Sequence, residues 1–321
     1  MKRAVGMTIA LLGLASASVP VAAQWSPDKT VRIIVPFPAG GPGDILMRLL
    51  AEQIGDKSKQ RIVIEQRPGG GSIIGTEAAA RAAPDGTTLL LAANSFLINA
   101  SLKAHLPYDP FTSFVPVCLL AHTPFVLVVN ARSDHASLGR LVAAARTPQS
   151  RISIGATGPN STQHVAIEAL KQATQANLTF VPYPGGPQVV SNLLGGHIDA
   201  GLVNYSDVRN HLGAALRALA VGSRERLADL PEVPTLAEAG FADIDAVAWM
   251  GLMLPAKTPE PVAAEIAAQF RSALAAPGIA ARLKSLEFAP AGQCGAEFGA
   301  YLRQQHERSA RTIKAANMKV D

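Results

Sequence analysis

The sequence is short of the residues that most enzyme and metal chemistries require. It holds two cysteines, Cys118 and Cys294, in 321 residues. They form no C-x-x-C pair and are too few for a zinc cluster. H-E-x-x-H, G-x-S-x-G and G-x-x-x-x-G-K-[ST] are all missing. Their absence argues against a zincin, an α/β-hydrolase nucleophile elbow and a phosphate-cradling P-loop. The stretch Gly69–Gly75 fails G-x-G-x-x-G, because Ile74 stands where the third glycine would fall. Charge is also scarce: the formal net charge is +5, and Lys2 and Arg3 supply two of the basic groups. The remaining balance is too small and too scattered for a nucleic-acid surface. Aromatic residues make up only 5% of a chain that is 48% hydrophobic, so the interior is built from Ala, Leu and Val.

The start of the chain sets the compartment. Lys2 and Arg3 precede an apolar run from Met7 to Ala15, and small residues follow up to Val21-Ala22-Ala23. This is the layout of a secretory leader, cut after Ala23. The run is too short to span a bilayer, which needs about 20 residues. No cysteine follows it, which argues against a lipid anchor. A periplasmic location is therefore expected. In such an oxidising compartment Cys118 and Cys294 could pair. Nothing in their spacing fixes the geometry, however, and two buried small hydrophobes is the plainer expectation.

Beyond the leader, β-rich runs alternate with helical periodicity. Thr30 to Val35 reads as a strand, Pro36 to Gly43 as a loop, and Leu46, Leu49, Leu50 and Ile54 fall on one helical face. Further strands are expected at Arg61–Gln66, Thr88–Ala92, Phe125–Asn130, Ile152–Gly155, Leu178–Pro182, Ile198–Val203, Leu216–Val221 and Gly251–Leu254. Long helices are expected at about Pro259 to Ala275 and Ala296 to Ala316. This alternation predicts an α/β fold of two lobes around a cleft, each a mainly parallel sheet covered on both faces. Residues 24–120 plus 245–321 would form lobe I and 121–244 lobe II. The crossing would lie near Val115 to Phe125 and the return near Asp243 to Met250.

In open parallel sheets, ligands bind beyond the carboxyl ends of the strands. The loops expected there are Pro36–Asp44, Asn94–Asn99, Ala156–His164, Tyr183–Pro187 and Asn204–Asp207. The first opens a helix whose leading N–H groups lack partners and carry positive dipole. Its small residues let a ligand approach the backbone, so a carboxylate could be held without Arg or Lys. The stretch from Thr157 to Ser161 offers a second helix start. A Ser161–His164 nucleophile pair is the weaker reading beside a helix cap and a ligand contact. Asp199 is expected to satisfy nearby backbone N–H groups.

Several motifs occur in a fixed order along the chain. They are Val35-Pro36-Phe37-Pro38-Ala39-Gly40-Gly41 with Asp44, Glu65-Gln66-Arg67-Pro68-Gly69-Gly70-Gly71, Ala82-Ala83-Pro84-Asp85-Gly86-Thr87-Thr88-Leu89 and Leu106-Pro107-Tyr108-Asp109-Pro110. Val181-Pro182-Tyr183, Asn192-Leu193-Leu194-Gly195-Gly196, Leu216-Arg217-Ala218-Leu219-Ala220-Val221 and Val233-Pro234-Thr235-Leu236-Ala237-Glu238-Ala239-Gly240 complete the set. This order resembles the substrate-binding receptors of tripartite tricarboxylate transporters, the Bug/TctC family. The resemblance implies a type II periplasmic-binding-protein fold. It also implies capture of a small organic acid for a two-component membrane transporter by a monomer, with no catalysis, cofactor, metal or nucleic acid. Carried over residue by residue, it implies a ligand site of Phe37, Ala39, Gly40, Gly41, Asp44, Thr157, Gly158, Ser161, His164, Tyr183 and Asn204; Asn94 joins them from its loop. Trp249 lies near the return crossing. Two departures stand out. Pro42 and Gly43 replace a small-residue–Thr pair, and Val203 stands where an Asp often precedes the Asn. The second points to a more apolar distal pocket, suited to an aromatic acid. The same lobes would also serve a ligand sensor docking on a membrane kinase.

Overall fold

The computed structural model describes residues 29–318, apart from Pro148, Asn160 and Asp245. The expected leader at 1–23 lies outside the described residues. The chain begins with β1 (Val31–Val35), α1 (Pro42–Ser58), β2 (Ile62–Gln66), a 3-10 turn at Gly70–Ser72, α2 (Ile73–Ala80), β3 (Thr88–Ala93) and α3 (Asn94–Leu102). A 17-residue strand, β4 (Phe114–Asn130), follows. Next come α4 (Leu138–Ala145), β5 (Ile152–Thr157), α5 (Thr162–Thr174), β6 (Leu178–Tyr183), α6 (Gly186–Leu194), β7 (Ala200–Asn204), α7 (Tyr205–Val208) and β8 (Leu216–Val221). The chain closes with β9 (Val247–Pro255), α8 (Glu260–Leu274), α9 (Pro277–Ser285), β10 (Ala289–Pro290) and α10 (Ala296–Ala315).

The length of β4 organises the molecule. Its first half pairs antiparallel with β9, and its second half pairs antiparallel with β7 on one side and β8 on the other. Two sheets therefore share one strand. On the first side the order runs β2-β1-β3-β9-β4, and on the second β4-β7-β5-β6. Strand directions follow from these pairings. β9 runs against β4, β3 runs against β9, and β1 runs with β3, so β1 and β3 point toward the second sheet. β7 runs against the second half of β4, and β5 and β6 run with β7, so all three point toward the first sheet. The carboxyl ends of both parallel sets face one another.

Each sheet is apolar on both faces, as parallel strands covered by helices must be. In β1, Ile33 and Val35 pack toward Leu46, Leu50, Ile266 and Phe270 of α1 and α8. Ile34 packs the other way, with Phe96, Trp249, Phe298 and Leu302 around α3 and α10. The second sheet is sandwiched likewise. Leu127 and Ile154 sit under α4 and α5, while Val128 and Val203 sit under α6 and α7. The two halves also meet on each flank of the shared strands. On one flank Ile98 of α3, Val165 of α5 and Ile313 of α10 form a small apolar cluster. On the other flank Arg209, just after α7, donates to Glu287, just after α9, at 2.6 Å.

Three expectations are corrected. Cys118 and Cys294 form a disulfide rather than two separate buried thiols. The segment before α10 runs antiparallel beside β4: Leu119 N–H donates to the Gln293 carbonyl at 2.8 Å, and Gly295 N–H to the Val117 carbonyl at 2.9 Å. That local ladder sets the two cysteines opposite each other across 176 residues of sequence. The expected Asn94–Asn99 loop is the start of α3, which follows β3 without a break. The run Phe96-Leu97-Ile98 is buried there, which a surface loop would not allow. In the same way, most of the expected Asn204–Asp207 loop is the short helix α7.

Candidate functional site

The loop between β1 and α1 is shaped from beneath. Pro36 is buried, Pro38 to Gly40 are exposed, and Phe37 packs partly into the first core. Gly40 adopts φ +77°, a conformation that favours glycine. Gly41 is the N-cap of α1 and has no side chain to cap it, and Pro42 sits in the first turn. Asp44, at the third helical position, is 3% exposed. Its carboxylate accepts from the Gly40 N–H at 2.9 Å, from Gln66 Nε2 at 2.7 Å and from Arg48 Nε at 2.9 Å. The Arg48 hydrogen bond, helped by those from Gly40 and Gln66 and opposed by burial, holds this carboxyl below its ordinary range. Asp44 therefore holds the loop in place. The N–H groups of Gly41, Gly43 and Asp44 find no partner among the described residues.

The loop between β5 and α5 is held by a hydroxyl. Ser161 is the N-cap, and its Oγ accepts from the His164 N–H at 3.1 Å and donates to the Thr157 carbonyl. The oxygen is committed to the backbone, so no Ser–His nucleophile pair is assembled. The His164 ring stacks on Phe180, with centroids 3.8 Å apart. Burial, and then nearby Lys171, lower its pKa and favour the neutral ring. Gly158, at φ +39°, donates its N–H to the Tyr183 carbonyl at 2.9 Å. Thr157, Gly158, Ser161, His164 and Tyr183 are thus one contiguous set at the ends of β5 and β6 and the start of α5, with Thr157 paired to Tyr183.

Asn204 ends β7 and donates from Nδ2 to Asp207 at 3.2 Å. Burial raises the Asp207 pKa, against the opposing hydrogen bonds from Asn204. A Cβ on Gly186 would meet Asp207 Oδ2 at 2.0 Å, so this carboxylate lies directly over the start of α6. Sequence reasoning did not select Asp207; its place at the end of the expected Asn204–Asp207 turn was the available signal. Val203 is 1% exposed, and its methyl groups lie inside the second core. The apolar character it adds is thus internal to the fold, and a preference for aromatic acids does not follow from it. Asp199 accepts from the Ser153 N–H and hydroxyl, as expected of a backbone-satisfying acid, although it is exposed.

Asn94 differs from the rest. Its Nδ2 donates to the Val247 carbonyl at 3.0 Å, and its Oδ1 accepts from the Trp249 N–H at 2.9 Å. Both arms of the amide tie α3 to β9, so Asn94 fixes the return strand. The first set (Phe37, Ala39, Gly40, Gly41, Asp44) and the second (Thr157 to Tyr183, with Asn204) lie at opposed strand ends. Each set stands at a helix start, α1 for the first and α5 for the second. Its N–H donors, and its glycines that let a ligand approach, are chemistry that suits an anion.

The chain is 35% identical to the protein BugT of Bordetella pertussis over 257 residues, 79% of this chain and 78% of that one. Among solved structures it resembles the periplasmic binding protein BugD at 29% identity and a TM-score of 0.74, covering 92% of this chain and 99% of that one. It also resembles a protein of R. palustris solved with adipate, at 26% identity and a TM-score of 0.77, covering 91% and 99% of the two chains. MatC from Rhodopseudomonas palustris, solved with bound malate, matches at 26% identity and a TM-score of 0.72, covering 90% and 100%. The sequence profile of the tripartite tricarboxylate transporter family receptors matches residues 46–318. The chain therefore belongs to the tripartite tricarboxylate transporter receptor family, whose members are solute-binding proteins.

Proposed function

We propose that this receptor captures a small carboxylate outside the cytoplasmic membrane and hands it, chemically unchanged, to a two-component membrane transporter. Residues 24–120 with 245–321 act as one lobe and 121–244 as the other. The lobes close by bending at β4 and β9, the two strands that pass between them. One observation carries the reading. Facing strand ends present two helix starts, and the first leaves the Gly41, Gly43 and Asp44 N–H groups without partners. Each charge-assisted hydrogen bond contributes about 1.5–3 kcal/mol, so a few of them reach micromolar affinity after desolvation and closure. The adipate and malate carried by two similar structures supply the first candidates.

The test is a thermal-shift series with adipate, malate and other small acids, using their amides as controls. At about 1,000 times Kd a true ligand adds about 4 kcal/mol, which is several degrees. An acid that shifts the transition while its amide does not is the expected result. No shift from any acid, together with no small molecule released when the protein is unfolded, would sink the proposal.

A further inference from the structure

The facing strand ends sort their open polar atoms by kind. Beyond β1 these are donors, the N–H groups of Gly41, Gly43 and Asp44. Beyond β7 they are acceptors. Asn204, the last residue of β7, gives its Nδ2 to Asp207 at 3.2 Å, and its Oδ1 accepts from no described residue. Asp207, in α7, is half-buried, and no Lys, Arg or His nitrogen lies within 4.0 Å of its carboxylate among the described residues. Arg209, just after α7, is committed to Glu287 at 2.6 Å. The start of α6 lies beneath the acid, since a Cβ on Gly186 would meet Asp207 Oδ2 at 2.0 Å. The positive end of that helix favours the ionised form, while burial strips the carboxylate of part of its water. An ionised carboxylate can accept about four hydrogen bonds, and Asn204 supplies few of them. A hydroxyl or ammonium brought here would fill that deficit, whereas a second carboxylate would set like charges side by side.

We infer that Asp207, together with Asn204 Oδ1, sets the specificity of the proposed site: the ligand is a small acid whose far end carries a hydrogen-bond donor, a hydroxyl or an ammonium, and not a second carboxylate. The inference rests on the reading of the α1 loop as the carboxylate grip. The ligand's carboxylate meets the α1 N–H groups, and its donor meets Asp207. Opposite polarity at the two ends gives the ligand one orientation, and repulsion at Asp207 rejects diacids.

The test is calorimetry at neutral pH with acids matched in length. One set is succinate, γ-hydroxybutyrate and γ-aminobutyrate; the other is adipate, ε-hydroxycaproate and ε-aminocaproate. At a length that binds, the hydroxy or amino acid is expected to bind at least tenfold tighter than the diacid. In Asp207→Asn the diacid should gain until the two lie within threefold. The ratio is read within each variant, so a general loosening of the site moves both acids alike and leaves it unchanged. Circular dichroism confirms folding; should Asp207→Asn fail to fold, Asp207→Ser takes its place beside the native ratio. A native ratio below tenfold would overturn the inference, and so would a tenfold ratio that survives in the folded variant. Both results leave the carboxylate reading standing. Failure of every acid in both sets would remove the inference together with the reading it rests on.

Discussion

The loop that opens α1 and the loop that opens α5 are held from opposite directions. In the first, the acid at the third helical position reaches back: Asp44 accepts from the Gly40 N–H, and the cap residue is a bare glycine. In the second, the cap residue reaches forward: the Ser161 hydroxyl accepts from the His164 N–H, and no acid lies in the first turn. The consequence differs at the cleft. The first arrangement leaves the leading helix N–H groups open to a ligand, and the second occupies one of them internally. On the proposed function the first wall would be the stronger anion grip; the second is the more self-contained.

The asymmetry extends to the scaffold, and the largest expected effect lies there. The Cys118–Cys294 disulfide joins two segments of the first half, β4 and the approach to α10. Closing a loop of 176 residues is worth about 5 kcal/mol on the loop-entropy estimate. Replacing both cysteines by Ala should lower the unfolding free energy by about that amount in a urea titration. Hydrogen exchange should then speed up more in β1–β3 than in β5–β7. Equal acceleration in both would show that the halves unfold together and would erase this part of the contrast.

Next in size is acid sensitivity, expected in the shared strand rather than in either grip. Burial, with Arg224 nearby, pushes His122 on β4 down to about 4. Its Nδ1 has no hydrogen-bond partner among the described residues, and its ring packs edge-on against Tyr301. Between its ordinary range and about 4, the unfolded chain binds the proton and the folded chain does not. Stability therefore falls as pH drops from about 6.5 to about 4, by about 3 kcal/mol. His122→Gln should flatten this slope in unfolding titrations. An unchanged slope would assign the acid sensitivity to other groups. Asp44 acts in the same direction at lower pH: its depressed carboxyl stabilises the fold above its ordinary range and loses that contribution once protonated.

Smaller still is the direct contest between the two loops. Asp44→Ala leaves the Gly40 N–H and Gln66 without their acceptor and should cost about 2–3 kcal/mol of stability. Ser161→Ala removes a cap and should cost about 1 kcal/mol. Chemical denaturation of both variants checks the ranking. Equal costs would mean that the two loops are equivalent supports.

The sequence made much of this legible, for stated reasons. The crossing expected near Val115–Phe125 falls within β4, and the return expected near Asp243–Met250 runs into the start of β9. The loops at Phe37–Asp44 and Thr157–His164 showed as glycine-rich breaks before helical periodicity. The disulfide did not show, because a pairing across 176 residues depends on a ladder beside β4 that spacing cannot reveal. The start of α3 was hidden as well. Asn94 and Asn99 look like turn residues, yet their side chains bond to Val247 and Trp249 and to Gly71, contacts that exist only after folding. Asp44 was visible as a site residue, but its work beneath the loop required the positions of Gly40 and Gln66.

The most direct measurement is the affinity of Gly41→Val for whichever acid stabilises the native protein, compared by calorimetry. Gly41 has φ −76° and ψ 168°, a backbone that valine adopts without strain, and a Cβ there meets only the Pro38 carbonyl, at 3.3 Å. The variant should therefore fold while its side chain crowds the ligand's approach to the α1 N–H groups. Binding at least tenfold weaker, about 1.4 kcal/mol, is the predicted result. Equal affinity in wild type and variant would contradict the claim that this loop holds the carboxylate.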